Sequence, residues 1–584
     1  MKVFYDTLGK LTWREPINLY YHGVLIENGV VPNLELGIDH VVTDQFGTVY
    51  PIIYRGIVHT TWFDTTFDAT DERLGSYVEA DETTFSVFAP TAIAVYLRID
   101  EAHILMHRKA NGVYTRTIAQ NLHGTVYNYE VHVNGDVNIT TDIYAKASMP
   151  NGSASVVVDF NQMHLETNSI EPRSGVILET QVRDFSMDPN VAFKYRGKFL
   201  GMLESHGDYG MQHILDMGVS HIQLMPINDF GSVDELNPLE NYNWGYDPMQ
   251  YMALEGSYST DPNDPLRAIS EFSTLVNGYH KHGIGVNVDV VFNHVYEVAP
   301  SAFHQTVPYY YFRYDNVFEH YNGTFCGNEV ASERPMVRKM IVDACRYYVE
   351  TFKIDGYRFD LMGIMDIDTM LAIQEAVPNT TLYGEGWHMA SGLPDSLKAS
   401  MENTASLPSI GHFNDQFRNL VGGDTDARNL GYVDTGLTPL IKESILGSSN
   451  LFADAALSIN YIECHDNYAL ADKVVLNHKQ VEAIDVLNAL VILSKGVPFM
   501  QIGQSFFRNK QRNHNSYNLP DAINRIDWSF VKTYRDYHEN VKRFIEFRTK
   551  NKNYSINFVG DEIVFKGTHG AISVTPNNVI FHDE

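Results

Sequence analysis

The hydrophobic positions of this chain change period once, near residue 174. Before that point they fall in short alternating runs between turn residues, as in Thr84-Phe85-Ser86-Val87-Phe88 and Val126-Tyr127-Asn128-Tyr129-Glu130-Val131-His132-Val133. A period of two is the signature of half-buried strands, so residues 1 to about 165 are expected to be all-β. The second run ends at Asn134-Gly135, the pair that a tight hairpin favours because both central residues take positive φ. Residues 1–72 form a first β-rich segment without a readable motif, and residues 73–165 a second.

Beyond residue 174, helical stripes alternate with short apolar strands. Asp264-Pro265 reads as an N-cap and first turn, and Leu266, Ile269, Phe272, Val276 and Tyr279 then recur at helical spacing up to Gly283. Pro335 opens a second helix whose apolar face is Met336, Val337, Met340, Ile341, Ala344, Cys345, Tyr348, Val349 and Phe352, which makes Cys345 a core residue. Candidate strands are 176–182, 221–225, 284–292, 356–359, 382–384, 410–413, 457–462 and 498–502. Eight strands with intervening helices predict right-handed crossovers and a closed α/β barrel of the (β/α)8 TIM type over residues 170–530. Chemistry is then expected just past the strand ends. Residues 531–584 read as a helix followed by a short β segment.

Composition narrows the class. The chain has 584 residues, 44% hydrophobic and 20% charged, enough for several globular domains. Acidic residues outnumber basic ones, 72 to 43, and the net charge of -29 repels phosphate backbones and anionic lipid, so neither nucleic acid nor a membrane is an expected partner. An uncharged substrate does not feel that field. No signal-peptide run and no spanning apolar stretch is present, and the three cysteines, Cys326, Cys345 and Cys464, are too dispersed for a disulfide framework. A cytoplasmic, reduced protein is expected.

The densest chemistry lies in Tyr242-Asn243-Trp244-Gly245-Tyr246-Asp247-Pro248, which offers flat aromatic faces for sugar C–H groups and amide or carboxylate edges for hydroxyls. Just past four candidate strands stand Asp289-Val290-Val291-Phe292-Asn293-His294, Gly356-Tyr357-Arg358-Phe359-Asp360, Gly384-Glu385-Gly386-Trp387 and His465-Asp466-Asn467. In this order, at these barrel positions, they resemble the conserved regions of the α-amylase superfamily, glycoside hydrolase family 13. The resemblance implies that Asp360 is the nucleophile, Glu385 the general acid and base, and Asp466 a third carboxylate bracing the oxocarbenium-like transition state. It further implies that His294 and His465 hold hydroxyls of the sugar being cleaved, that Tyr246 lies beneath that sugar, and that Asp289, Arg358, Trp387, Trp244 and Asp247 complete the substrate site.

The residues support those roles. Retaining cleavage needs an acid that protonates the leaving oxygen and a carboxylate about 5 to 5.5 Å away that attacks the anomeric carbon. Arg358, two residues before Asp360 on one strand face, would keep that nucleophile ionised, whereas Glu385 must keep its proton near neutrality. Packing by Trp387 and the fields of Asp360 and Asp466 would raise the Glu385 pKa. A zinc cluster of His294, His388 and His465 lacks the required ligand spacing. No cofactor is required; Asn293 matches a position that ligates calcium in some relatives, which leaves calcium open there.

The 242–248 segment also resembles the signature of type I pullulanases, as do Glu255-Gly256-Ser257-Tyr258-Ser259-Thr260-Asp261-Pro262, Cys326-Gly327-Asn328-Glu329, Asn513-His514-Asn515-Ser516-Tyr517-Asn518 and Asn524-Arg525-Ile526-Asp527-Trp528. Residues 73–160 resemble the β-sandwich carbohydrate-binding module of family 48 through Phe85-Ser86-Val87-Phe88-Ala89-Pro90-Thr91, Leu122-His123-Gly124 and Asp142-Ile143-Tyr144-Ala145-Lys146. Glu329 and Gln504-Ser505 depart from the pullulanase pattern, and Ile143 replaces a usual proline. The implied activity is hydrolysis of α-1,6 branch bonds in pullulan, amylopectin, glycogen and limit dextrins by a monomer acting on α-glucan chains. Isoamylase, neopullulanase and branching-enzyme activities are the alternatives within the superfamily, and a non-catalytic glucan-binding protein the alternative outside enzymes.

Overall fold

A computed structural model of the chain describes residues 1–171 and 174–582. Residues 172–173 at the predicted barrel entry and 583–584 at the end of the terminal segment lie outside the described residues. Eight parallel strands close into a barrel: β1 (Ile177–Thr180), β2 (His221–Leu224), β3 (Gly285–Val290), β4 (Gly356–Phe359), β5 (Thr381–Gly384), β6 (Ile410–Phe413), β7 (Ser458–Asn460) and β8 (Val497–Gln501). All eight fall within the predicted runs or one residue beyond them. Helices Pro265–His280 and Pro335–Phe352 cover β3 and β4, with the predicted apolar stripes turned inward and Cys345 fully buried. Asp264 departs from the expectation: it occupies the N-cap position, but its side chain makes no capping bond and pairs with Arg267 at 3.2 Å. Between β5 and β6 the crossover among the described residues is two 3₁₀ turns, Asp395–Leu397 and Met401–Ser406, in place of an α-helix.

The barrel interior is split. Ile177, Tyr383, Phe413, Ile459 and Phe499 form an apolar half. Opposite them runs a polar chain in which Asn287 Nδ2 donates to the Tyr383 hydroxyl (3.1 Å) and that hydroxyl donates to Gln223 Oε1 (2.7 Å). Buried polar groups must be paired, and this chain pairs them directly beneath the strand ends.

Two β regions precede the barrel. Residues 1–54 build a six-stranded sheet in which Val3–Thr7 pairs in parallel with Val49–Tyr54. Residues 75–156 then form two facing sheets. The Asn134-Gly135 turn joins Val126–Val133 to Asp136–Thr140 with φ of 57° and 86°, as the hairpin signal requires. In this module Asp142 is buried; Tyr127 and Tyr129 hydroxyls donate to it at 2.9 and 3.2 Å, so the Asp142-Ile143-Tyr144 motif fastens the sandwich core. After the barrel come helix Arg535–Lys550 and a four-stranded antiparallel sheet, residues 555–582. Among the described residues no helix is long and apolar enough to cross a membrane.

Candidate active site

Strand register decides which side chains meet. Asp289 on β3 and Arg358 on β4 are direct partners across the ladder, and Asp360 and Glu385 stand just past β4 and β5. Arg358 was expected beside the nucleophile alone. It serves three carboxylates: Nη1 lies 2.9 Å from Asp289 and 2.9 Å from Asp360 Oδ1, and Nη2 lies 2.7 Å from Glu385 Oε1. One planar guanidinium thus fixes the separation of the two carboxyl groups, a task its fork geometry suits and a lysine's point charge does not.

Burial is the main force raising the Glu385 carboxyl, to about 7; Arg358 opposes it, and Asp360 and Asp466 add to it. The group therefore holds a proton near neutrality, for the reasons expected except that Trp387 is not among them. Burial likewise pushes Asp289 to about 7, against Arg358 and the Tyr246 hydroxyl, which donates to it at 2.7 Å. Leu361, between Asp360 and the following turn, has a left-handed backbone (φ 42°, ψ 43°) and donates its N–H to Glu385 Oε2 at 3.2 Å. A branched side chain costs free energy in that region, which marks the turn as functional geometry.

The histidines act differently from one another. His465 stacks on Tyr246 with ring centroids 4.8 Å apart and is pinched between Glu179 (Nδ1, 2.8 Å) and Asp466 (Nε2, 3.6 Å). Burial lowers its pKa, but Glu179 and Asp466 outweigh this and raise it to about 9, so the ring is cationic at neutral pH. His294 is buried, with Nε2 2.8 Å from the Tyr246 carbonyl and Nδ1 2.6 Å from Asn293 Oδ1. Both its nitrogens face protein oxygens, so here it positions the Tyr246 loop rather than offering a free edge to a hydroxyl.

Several predicted residues are placed otherwise than a sugar platform would be. Trp244 is only 5% exposed and meets His465 edge-on at 4.9 Å, with Lys510 Nζ 5.5 Å above its ring. It packs behind Tyr246, whose ring it meets edge-on at 6.4 Å. Asn293 Nδ2 donates to the Asp360 carbonyl (2.8 Å) and to Asp360 Oδ2 (2.9 Å), while its Oδ1 faces His294 Nδ1 at 2.6 Å. Trp387 borders a cleft with His388, Glu402, Asp415 and Arg418, whose guanidinium lies 5.7 Å from its ring. Asp247, raised to about 6 by burial, lines a second cleft with Asn241, Asn243, Tyr517 and Asn518. The 242–248 and 513–518 segments indeed adjoin, Trp244 N–H donating to the Tyr517 carbonyl at 3.0 Å.

Glu329, which departs from the pattern, is buried and uses its length to accept from Gly323 N–H (2.6 Å) and Ser391 Oγ (2.7 Å), with Arg313 at 3.3 Å. It ties down the loop that follows Glu385. Sequence reasoning missed Glu179, a buried carboxylate on β1; the signal was a charged residue inside the apolar run Val176-Ile177-Leu178-Glu179-Thr180. It also found no metal cluster, whereas the structure brings the carboxylates of Asp229, Glu235 and Glu255 together on the loop after β2, beside Asp247.

Comparison with known proteins follows the same outline. Residues 73–145 match the model for carbohydrate-binding module 48, the isoamylase N-terminal domain. A pullulanase of Bacillus subtilis (strain 168) is 37% identical over 556 residues, covering 89% of this chain and 77% of that one. The crystal structure of a pullulanase from Anoxybacillus sp. LM18-11 superposes with a TM-score of 0.92 at 31% identity, over 100% of this chain and 98% of the other. The type I pullulanase of Bacillus subtilis str. 168 complexed with maltose gives 0.89 at 32% identity, over 98% and 91%.

Proposed function

Since the chain belongs to the type I pullulanases of glycoside hydrolase family 13, we propose that Asp360 is its nucleophile, Glu385 its general acid and base, and Asp466 the carboxylate that steadies the charge between them. The protein is a glycosyl hydrolase that cleaves α-1,6 branch linkages and binds malto-oligosaccharide chains. The observation that carries the residue roles is the shared guanidinium. Arg358 contacts Asp360 at 2.9 Å and Glu385 at 2.7 Å, while burial holds the Glu385 proton to about pH 7. A carboxyl group held against an arginine beside a second one that keeps its proton is the pairing that retention calls for.

In the first half-reaction Glu385 gives its proton to the glycosidic oxygen as an Asp360 oxygen bonds to the anomeric carbon and the C–O bond breaks. In the second, Glu385 takes a proton from water, whose oxygen displaces Asp360. The cationic His465 and Tyr246 form one wall of the sugar site, and Asp289 orients both Tyr246 and Arg358. Glucan specificity follows from transition-state fit, since a bond that misplaces its oxygen relative to Glu385 loses rate even when the chain binds. A reducing compartment is in keeping with three free thiols. Pullulan digestion tests the reading: maltotriose should be nearly the whole product and linear amylose should be spared. Panose or isopanose would instead mean α-1,4 cleavage, and branched products from amylose would mean glucan transfer.

A further inference from the structure

The face of the barrel opposite the catalytic residues carries a cleft of about 670 Å³, at the N-terminal ends of the neighbouring strands β8, β1 and β2 and beside the end of helix Arg535–Lys550. Three of its lining residues are cations, Lys495, Arg548 and Lys552, and none is acidic, although acidic residues outnumber basic ones 72 to 43 in the chain. No carboxylate among the described residues is ion-paired with any of the three. Arg548 spends Nη1 and Nη2 on the carbonyls of Ile492, Ser494 and Gly496, at 2.7, 2.7 and 2.5 Å, where helix Glu482–Leu493 ends and β8 begins. Its Nε donates to no described group. Lys495 Nζ reaches one described oxygen, the Tyr554 carbonyl at 3.4 Å, and stands 4.5 Å over the Tyr554 ring. Lys552 is exposed and makes no hydrogen bond to any described group.

Carbonyl oxygens satisfy hydrogen-bond donors, but a neutral dipole does not cancel a unit charge, so cations gathered without carboxylates repel one another. The helix C-terminus favours Arg548 and leaves the two lysines uncompensated. Lys495 registers the repulsion: burial and the field of Arg548 both lower its pKa, and no described carboxylate acts the other way. An anion is the missing partner. A guanidinium beside two ammonium groups suits a compact, doubly charged oxyanion better than a single carboxylate, and the exposed Ser174 at the rim adds a hydroxyl donor. Nucleic acid is a poor candidate, since the net charge of -29 repels a polyanion at every other surface it would cover. Arg548 and Lys552 come from the terminal helix and the chain after it, whereas Lys495 and Ser174 belong to the barrel, so one anion would bridge the two. We propose that this cleft binds a phosphate dianion, free or as the ester of a small sugar, which clamps helix Arg535–Lys550 onto the base of the barrel.

Calorimetric titration of the full chain at fixed ionic strength should show one site for inorganic phosphate, and phosphate should raise the melting temperature where chloride does not. Glucose 1-phosphate should compete for that site; tighter binding of the ester assigns the cleft to a sugar phosphate, and equal or weaker binding assigns it to free phosphate. In crystals soaked with tungstate, a phosphate stand-in, anomalous density should lie among Lys495, Arg548 and Lys552. The double variant Lys495→Gln, Lys552→Gln should weaken phosphate binding about tenfold or more, while hydrolysis of pullulan in phosphate-free buffer stays at the wild-type rate. The proposal is overturned if the wild-type chain binds no phosphate at millimolar concentration, if tungstate orders only elsewhere, or if the folded double variant binds phosphate as the wild type does. The wild-type titration and the soaked crystal decide the matter even if the variant does not fold.

Discussion

Two buried carboxylate triads sit on one barrel and differ in a single respect. Asp289, Asp360 and Glu385 share the guanidinium of Arg358, whereas no arginine or lysine among the described residues is ion-paired with Asp229, Glu235 or Glu255. The first triad has its charge fixed internally, so its members can be tuned apart: one side chain exchanges protons near neutrality while its neighbour stays in contact with the arginine. The second has no such fixed charge, and burial raises all three of its carboxyl groups. A permanent internal cation lets neighbouring carboxyl groups differ in charge; without one, burial keeps protons on them.

The comparison breaks most completely if the tuned pair is dismantled. Asp360→Asn and Glu385→Gln should each lower turnover on pullulan by several orders of magnitude with a nearly unchanged melting curve, since each removes half of a two-step displacement. Wild-type rates in either variant, measured by reducing-sugar release, would refute the roles given to them. A smaller catalytic effect, but a larger one on stability, is expected from turning the first triad into the second. Arg358→Met leaves buried carboxylates uncompensated and should cost about 3–5 kcal/mol in unfolding free energy. Arg358→Lys should recover part of the stability and little of the activity, because one ammonium cannot span three acceptors; chemical denaturation and initial rates separate the two.

The subtlest change sharpens the comparison through pH. Glu385 must be protonated to act, so kcat/KM should fall as pH rises through about 7. Glu179→Gln leaves the burial of His465 unopposed on that side, and the ring should lose its charge near neutrality. Its positive field, which lowers Glu385, then fades and the alkaline limb should move upward. The rate should drop roughly ten- to hundredfold, the scale of one charge-assisted hydrogen bond. A variant with reduced rate and an unmoved pH profile would reduce Glu179 to a packing residue.

How far the chain could be read depended on whether sequence neighbours were also structural neighbours. Asp360, Glu385 and Asp466 were legible through the resemblance of the segments that carry them, and the barrel explains why those segments meet, since it puts strand ends on one face. The eight strands were legible as short apolar runs. The contact of Arg358 with Asp360 was legible but its reach was not, since Asp289 and Glu385 meet it only through register and loop geometry. Asp229, Glu235 and Glu255 follow no periodic spacing and converge only where the loop folds back on itself. The parallel pairing of Val3–Thr7 with Val49–Tyr54 is equally remote in sequence, which is why residues 1–72 yielded strands but no topology. Trp244 and His294 were recognised as site residues, yet their burial turned both into supports for Tyr246.

The left-handed turn at Leu361 bears on how this enzyme could be made more robust. A leucine in that backbone region costs about 1–2 kcal/mol, and its amide is the one that meets Glu385. Asparagine visits that region readily and should relieve the cost while leaving the peptide plane, and its N–H on Glu385, where they are; a β-branched residue should push the turn out of that region and take the N–H with it. Position 361 is therefore one where stability can be gained without touching the site, because what the site uses is the peptide plane rather than the side chain.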